Sequence, residues 1–238
     1  MKIKEHMNAL RLHGMSTLWD SLTESRQHVQ LDLHDGLELL LQAEKEDRQH
    51  RRTERLIYQA RFRYQASLEE IRFDPPRKLD KSLILSLSDC QYINQGQSVV
   101  ITGPTGAGKS FLASALGHQA CVMGYATAYY NVQRLLTIFK MAKVDGSIFK
   151  IERRVYKTHL LILDDFGLQT LNEKERLDFL DIIEDRHGRK STIIVSQIPM
   201  VNWFDVIADN TIADAIIDRF IHQSIKIEMK GESMRKKR

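Results

Sequence analysis

Ser98-Val99-Val100-Ile101-Thr102-Gly103-Pro104-Thr105-Gly106-Ala107-Gly108-Lys109-Ser110 decides the fold. The stretch reads as a buried strand, a glycine-rich loop and a helix that opens at Lys109. Gly103, Gly106, Gly108, Lys109 and Ser110 match G-x-x-x-x-G-K-[ST], the phosphate-binding loop. Glycines let consecutive backbone N–H groups turn inward onto phosphate oxygens. The helix N-terminus adds partial positive charge. Lys109 is expected at the β- and γ-phosphates of ATP, and Ser110 at Mg²⁺. Gly103, Pro104, Thr105, Gly106, Ala107, Gly108, Lys109, Ser110 and Phe111 form the expected nucleotide-binding set. A plain glycine turn with an exposed lysine is the alternative, and a strand before with a helix after argues against it.

Outward from this loop, strands and helices alternate. The helix after the loop runs to Val122 and ends at Gly124, a favourable C′ residue. Ala126–Tyr130, His159–Asp165, Thr192–Val195 and Ser224–Met229 read as further strands. Between them lie helices at Arg134–Lys143, Asn172–Asp185, Trp203–Ala208 and Thr211–Ile221. Asn172 with Glu175 is a capping pair. Such alternation predicts an α/β fold, a parallel sheet covered by helices on both faces.

A phosphate loop needs an acid on a neighbouring strand. The apolar run Leu160-Leu161-Ile162-Leu163 ending in Asp164-Asp165 supplies it. Asp164 is the metal-side acid, and Asp165 orients or deprotonates water. Ligands of parallel sheets bind at the carboxyl ends of the strands, so Ser196-Gln197 lies within reach of the γ-phosphate, unless it is simply the turn before Pro199. Arg219, in Asp218-Arg219-Phe220, is either an arginine finger acting in cis or from a neighbouring subunit, or a surface helix residue.

Ahead of the sheet, residues 1–72 read as wholly helical. Ile3, Met7 and Leu10 share a helical spacing that Gly14 is expected to stop. Asp35 and Glu38 are expected to cap a long helix carrying Leu37, Leu40, Leu41, Leu56, Ile57, Ala60 and Tyr64, and Ser67 with Glu70 one further turn. Arg48, Arg51, Arg52 and Arg55 fall on one side of the long helix, with Arg61 and Arg63 extending the charge. They contact DNA or a partner, or, since Glu44, Glu46, Asp47 and Glu54 are interspersed, they are a solvated face. Asp74-Pro75-Pro76 breaks the pattern. The boundary is therefore expected near residue 75, with a small helical domain over 1–75 and an ATPase domain over 76–238.

The 238 residues suffice for one large domain with a small appendage, and the net charge of +4 permits a nucleic-acid partner without demanding one. Cys90 and Cys121 show no metal-like spacing, which fits a reducing cytoplasm. Neither a signal core nor a membrane-length apolar run is present, so a soluble cytoplasmic protein is expected.

Gly103–Ser110, Leu161–Gly167, Asp218-Arg219-Phe220 and the ending Lys230-Gly231-Glu232-Ser233-Met234-Arg235-Lys236 together resemble the IstB-like ATP-binding proteins. These are ATPase helpers encoded beside a transposase in bacterial insertion sequences, related to the DnaC helicase loaders within the AAA+ ATPases. The helical front, at Leu10–Met15 and Glu44–Arg48, is similar as well. The resemblance implies an AAA+ core with the sensor strand between the two Walker strands. It also implies ATP-dependent self-association on duplex DNA and control of a transposase. By that resemblance Lys109 and Ser110 match Walker A, Asp164 and Asp165 match Walker B, and Arg219 matches an arginine finger. Asp165 stands where a Glu is usual, so its reach to water is shorter and slow turnover is expected. The chain ends soon after the last strand, without room for a full helical lid, which leaves a sensor-two role for Arg235 open. A DnaC-like loader acting in replication has the same fold and a different partner. A small-molecule kinase uses the same loop but needs an acceptor pocket and a closing lid. A degenerate interaction module is at odds with intact Lys109, Ser110 and Asp164.

Overall fold

A computed structural model describes residues 2–221 and 224–231. The chain divides into two compact units, Met1–Arg55 and Leu56–Arg238.

The first unit is helical. It comprises α1 (Lys2–Ala9), α2 (His13–Glu24), a 3₁₀ turn at Gln27–Val29 and most of α3 (Leu33–Ala60). Met7, Met15 and Leu40 are buried together, with Leu12, Leu18 and Trp19 against them. Gly14 does not stop a helix. It lies inside α2, where a Cβ would sit 2.4 Å from the Ala43 carbonyl oxygen, so its missing side chain lets two helix backbones touch. The cap of α3 also differs from expectation. The Asp35 N–H donates to Asp32 Oδ1 at 2.8 Å, which makes Asp32 the capping residue. Asp35 instead adds negative charge to the first turn, a favourable place for it. Glu44, only 5% exposed, caps α2 from outside: its Oε2 accepts the Gly14 N–H at 2.9 Å and the Met15 N–H at 3.3 Å.

Helix does not continue to residue 72. It ends at Ala60, and Arg61 takes a left-handed φ of 57°. Glu70 Oε2 accepts the Ser67 N–H at 2.9 Å, half of a capping box with only a turn behind it. Residues 61–73 run irregularly and lay Phe62, Ala66, Leu68, Ile71 and Phe73 into the core of the second unit. The division at residues 55 and 56 therefore precedes the prolines on which the sequence boundary near residue 75 rests. The prolines break a local pattern, whereas apolar burial carries the preceding segment into the second unit. Asp74 precedes a 3₁₀ turn at Pro75–Arg77.

The second unit continues with α4 (Lys81–Leu87), α5 (Gln91–Asn94), β1 (Ser98–Thr102), α6 (Lys109–Val122), β2 (Thr127–Asn131), α7 (Val132–Asp145), α8 (Ile148–Lys157), β3 (Leu160–Phe166), α9 (Glu173–Arg186), β4 (Ser191–Ser196), α10 (Trp203–Ile207), α11 (Asn210–Ile221) and β5 (Ser224–Glu228). The strands form one parallel sheet in the order β2-β3-β4-β1-β5. The strand carrying Ser196 thus separates the phosphate-loop strand from the Asp164 strand.

Successive strand residues point to opposite faces. Val99, Ile101, Leu160, Ile162, Ile193 and Val195 enter one core with α6 and the 62–73 segment. Val100, Leu161, Leu163 and Ile194 enter another with α7, α9, α10 and α11. Both faces are covered, which is why these strands are continuously apolar. Buried Arg186 ties the layers at one end. Its guanidinium donates to Thr192 Oγ1 and to the carbonyls of Val155, Thr158, His159 and Ser191. Burial pushes its pKa down to about 9. No helix among the described residues is long and apolar enough to cross a membrane.

Candidate nucleotide site

β1 ends at Thr102, and the backbone at Gly103, Gly106 and Gly108 has φ values of +145°, +82° and +94°. A Cβ on Gly103 would meet the Met229 carbonyl oxygen at 2.1 Å. The loop curls around Lys109, whose Nζ donates to the Gly103 and Pro104 carbonyls at 2.7 and 2.8 Å. Burial lowers the lysine pKa while Asp164 and Asp165 oppose that. Thr105 Oγ1 donates to Gln197 Oε1 at 2.6 Å, joining the loop to the end of β4. Ser196 has a structural role instead: its hydroxyl donates to the Phe166 carbonyl at 2.9 Å and accepts the Ile198 N–H. Phe111, on α6, packs partly buried against the core beside α6.

Asp164 is 1% exposed and receives Ser110 Oγ at 3.1 Å, so the expected metal pair is assembled. Both are hard oxygen donors of the kind Mg²⁺ takes. The Asp165 N–H donates to Asp164 Oδ1 at 2.8 Å, and Asp165 itself has φ +60°, a strained conformation of the sort that gathers at functional sites.

Four partners were not legible as site residues. Tyr129 donates its hydroxyl to Asp164 Oδ2; burial and then the Asp164 charge hold that hydroxyl well above the ordinary tyrosine range. Asn131 Nδ2 donates to Asp165 Oδ2 at 3.1 Å. Arg63 Nη1 lies 3.2 Å from Asp164 Oδ2 and 2.9 Å from Asp165 Oδ2. Arg77 Nη2 donates to the Ala107 carbonyl at 2.7 Å and would lie 2.3 Å from a Cβ on Gly108. Only Tyr129 and Asn131 carried a usable signal, as alternate residues at the end of a strand beside the Asp164 strand.

The remaining expected residues lie elsewhere. Arg219 pairs with Glu184 of α9 and its own Ala215 carbonyl, so within one chain it is not brought to the loop. Arg48, Arg51, Arg52 and Arg55, joined by Arg11, line a concavity of about 330 Å³ in the first unit. Arg48 Nε donates to Glu44 Oε1 and Arg51 pairs with Asp47, both at 2.6 Å. Arg235 lies outside the described residues. A cavity of about 770 Å³ opens beside Gly103, Pro104 and Gln197, walled by Met200, Met229 and Lys230.

Residues 5–238 match the family model described as IstB-like ATP binding protein. The chain belongs to the IstB-like ATP-binding proteins. An insertion-sequence ATP-binding protein of Sinorhizobium fredii, y4pL, is 39% identical over 232 residues, covering 98% of this chain and 95% of that one. A protein named for ATP binding in insertion sequence IS1162 of Pseudomonas fluorescens is 42% identical over 195 residues, covering 81% and 84%. Among solved structures, the DnaC helicase loader superposes with a TM-score of 0.59 at 20% identity, over 70% of this chain and 98% of that one. DnaA from Aquifex aeolicus, solved with AMPPCP, gives 0.60 at 20%, over 74% and 53%. That likeness is one of fold, the AAA+ P-loop core. By family this chain is an ATP-binding protein, and by fold it has the P-loop core shared with the DnaC and DnaA structures.

Proposed function

We propose that this chain is a Mg²⁺-dependent ATPase that self-associates on duplex DNA and assists a transposase in the cytoplasm. The observation that carries the reading is the assembly of Lys109, Ser110 and Asp164 at the strand ends of an IstB-like chain. Mg²⁺·ATP supplies the electrophilic phosphorus and its charge neutralisation. Lys109 holds the β- and γ-phosphates, with Ser110 and Asp164 at the metal. Asp165 accepts a proton from water or orients it, and Gln197, tied to Thr105, stands at the γ-phosphate side. Arg219, held to Glu184 within its own chain, serves the site of an adjacent subunit once that pair is released. The transposase enters from the relatives' names, which place such proteins in insertion sequences.

The test is ATP turnover by the purified protein with and without Mg²⁺ and duplex DNA, beside sedimentation of the same mixtures. Turnover that needs Mg²⁺, rises with DNA and falls away in Lys109→Ala is expected, with larger assemblies when ATP and DNA are both present. Phosphate transfer to a metabolite, or turnover indifferent to DNA and to protein concentration, would refute the reading. Capture of a replicative helicase without the transposase would move the chain to the loader reading.

A further inference from the structure

Arg63 is not a surface charge of the long helix. It sits three residues beyond the last residue of α3, just after the left-handed turn at Arg61, and its guanidinium bridges both acids at the end of β3. Its own neighbour Tyr64 lies beneath it, with the guanidinium carbon 5.7 Å from the ring centroid. Phe62, one residue earlier, packs into the core edge-on to Tyr129, whose hydroxyl also binds Asp164. The side chain thus follows a partly buried aromatic that packs on the core and lies over the ring of the residue after it. Partial burial opposes its charge, but Tyr64, Asp165 and Asp164 outweigh that and hold the guanidinium above its ordinary range.

Asp164 Oδ2 has two donors, Tyr129 and Arg63, and Oδ1 has Ser110 and the Asp165 amide. A divalent cation taken by Ser110 and Asp164 would place its charge beside a guanidinium on the same carboxylate, and like charges at that range repel strongly. We propose that Arg63 is a built-in counter-cation that competes with Mg²⁺ for Asp164 and Asp165, so that metal-nucleotide loading requires the 61–64 turn to release its hold. Asp165, relieved of Arg63, gains the freedom to address water. The segment that must move follows directly on α3, so the metal site reports to the start of the second unit. This rests on the reading of Ser110 and Asp164 as the metal side.

The experiment titrates Mg²⁺ against binding of the ATP analogue AMPPCP, measured by calorimetry, in the wild type, Arg63→Gln and Arg63→Lys. If the competing form dominates, removing it lowers the half-saturating Mg²⁺ concentration by roughly tenfold in Arg63→Gln, whereas Arg63→Lys, which keeps the charge, stays close to wild type. Independently, trypsin is applied to the wild type with AMPPCP, with and without Mg²⁺. Initial cleavage after Arg63 is expected to rise several-fold with Mg²⁺, with cleavage after Arg26, exposed in the turn after α2, as the internal reference. An unchanged or higher Mg²⁺ requirement in Arg63→Gln, with Mg²⁺-dependent binding intact in the wild type, overturns this proposal alone. Wild-type binding that ignores Mg²⁺ overturns the metal-side reading beneath it. Should Arg63→Gln not fold, Mg²⁺-independent cleavage after Arg63 in the wild type overturns the proposal.

Discussion

Gly103→Ala separates two reasons for a glycine at the mouth of the phosphate loop. One is phosphate binding, which matters only with nucleotide. The other is architectural: at φ +145° a Cβ would meet the Met229 carbonyl oxygen at 2.1 Å. Met229 cannot step back freely, because its N–H donates to the Thr102 carbonyl at 2.8 Å and the next N–H, of Lys230, donates to the Arg77 carbonyl at 3.0 Å. The forbidden backbone conformation costs about 1–3 kcal/mol. Breaking the Met229–Thr102 bond adds about 1 kcal/mol. A total of about 2–4 kcal/mol corresponds to a fall in Tm of roughly 5–15 °C for a unit of this size. The assay is calorimetric unfolding in buffer without nucleotide or Mg²⁺. Gly146→Ala serves as reference: φ is +77° there, but a Cβ would meet nothing within 4 Å, so only backbone strain of about 1 kcal/mol is expected. If Gly103→Ala melts with the wild type or with Gly146→Ala while losing ATP binding, the architectural argument is wrong and Gly103 serves the phosphate alone.

Asp165→Asn should retain AMPPCP binding and lose turnover; wild-type turnover would remove Asp165 from the water-handling role. Mixing the inactive variants Lys109→Ala and Arg219→Ala should restore partial ATPase activity, since some interfaces then pair an intact loop with an intact Arg219; co-assembled but inactive mixtures would refute action in trans. Arg186→Met should destabilise the second unit by about 3–5 kcal/mol, because buried carbonyls lose their donor, and a chemical-denaturation midpoint close to wild type would contradict that. Replacing Arg48, Arg51, Arg52 and Arg55 by Gln should reduce the log–log salt slope of duplex-DNA binding by roughly 0.9 for each phosphate no longer neutralised; an unchanged slope would assign DNA binding to the second unit.

Local sequence determined a great deal here. A phosphate loop is a matter of glycine spacing within eight consecutive residues, and continuous apolar strands announce a sheet buried on both faces, so the α/β core, Lys109, Ser110 and the Asp164 strand were all readable. The short amphipathic α8 was not, because its charged residues interrupt a brief apolar face. Proline misled the domain boundary: Pro75 and Pro76 interrupt a backbone pattern, but burial of Phe62, Ala66 and Ile71 decides which unit the preceding segment joins. Gly14 misled in the same way, since the absence of a side chain serves a helix end and a helix contact equally, and only the position of the Ala43 carbonyl distinguishes them. Of the surroundings of the acids, local reading reached no further than the strand position of Tyr129 and Asn131. Arg63 reaches Asp164 across 101 positions, and Tyr129 and Asn131 reach Asp164 and Asp165 across 35 and 34. Periodicity reports which face a residue occupies within its own element. Which charge stands opposite is set by strand order and by a segment folded back onto the sheet, and that is a property of tertiary structure alone.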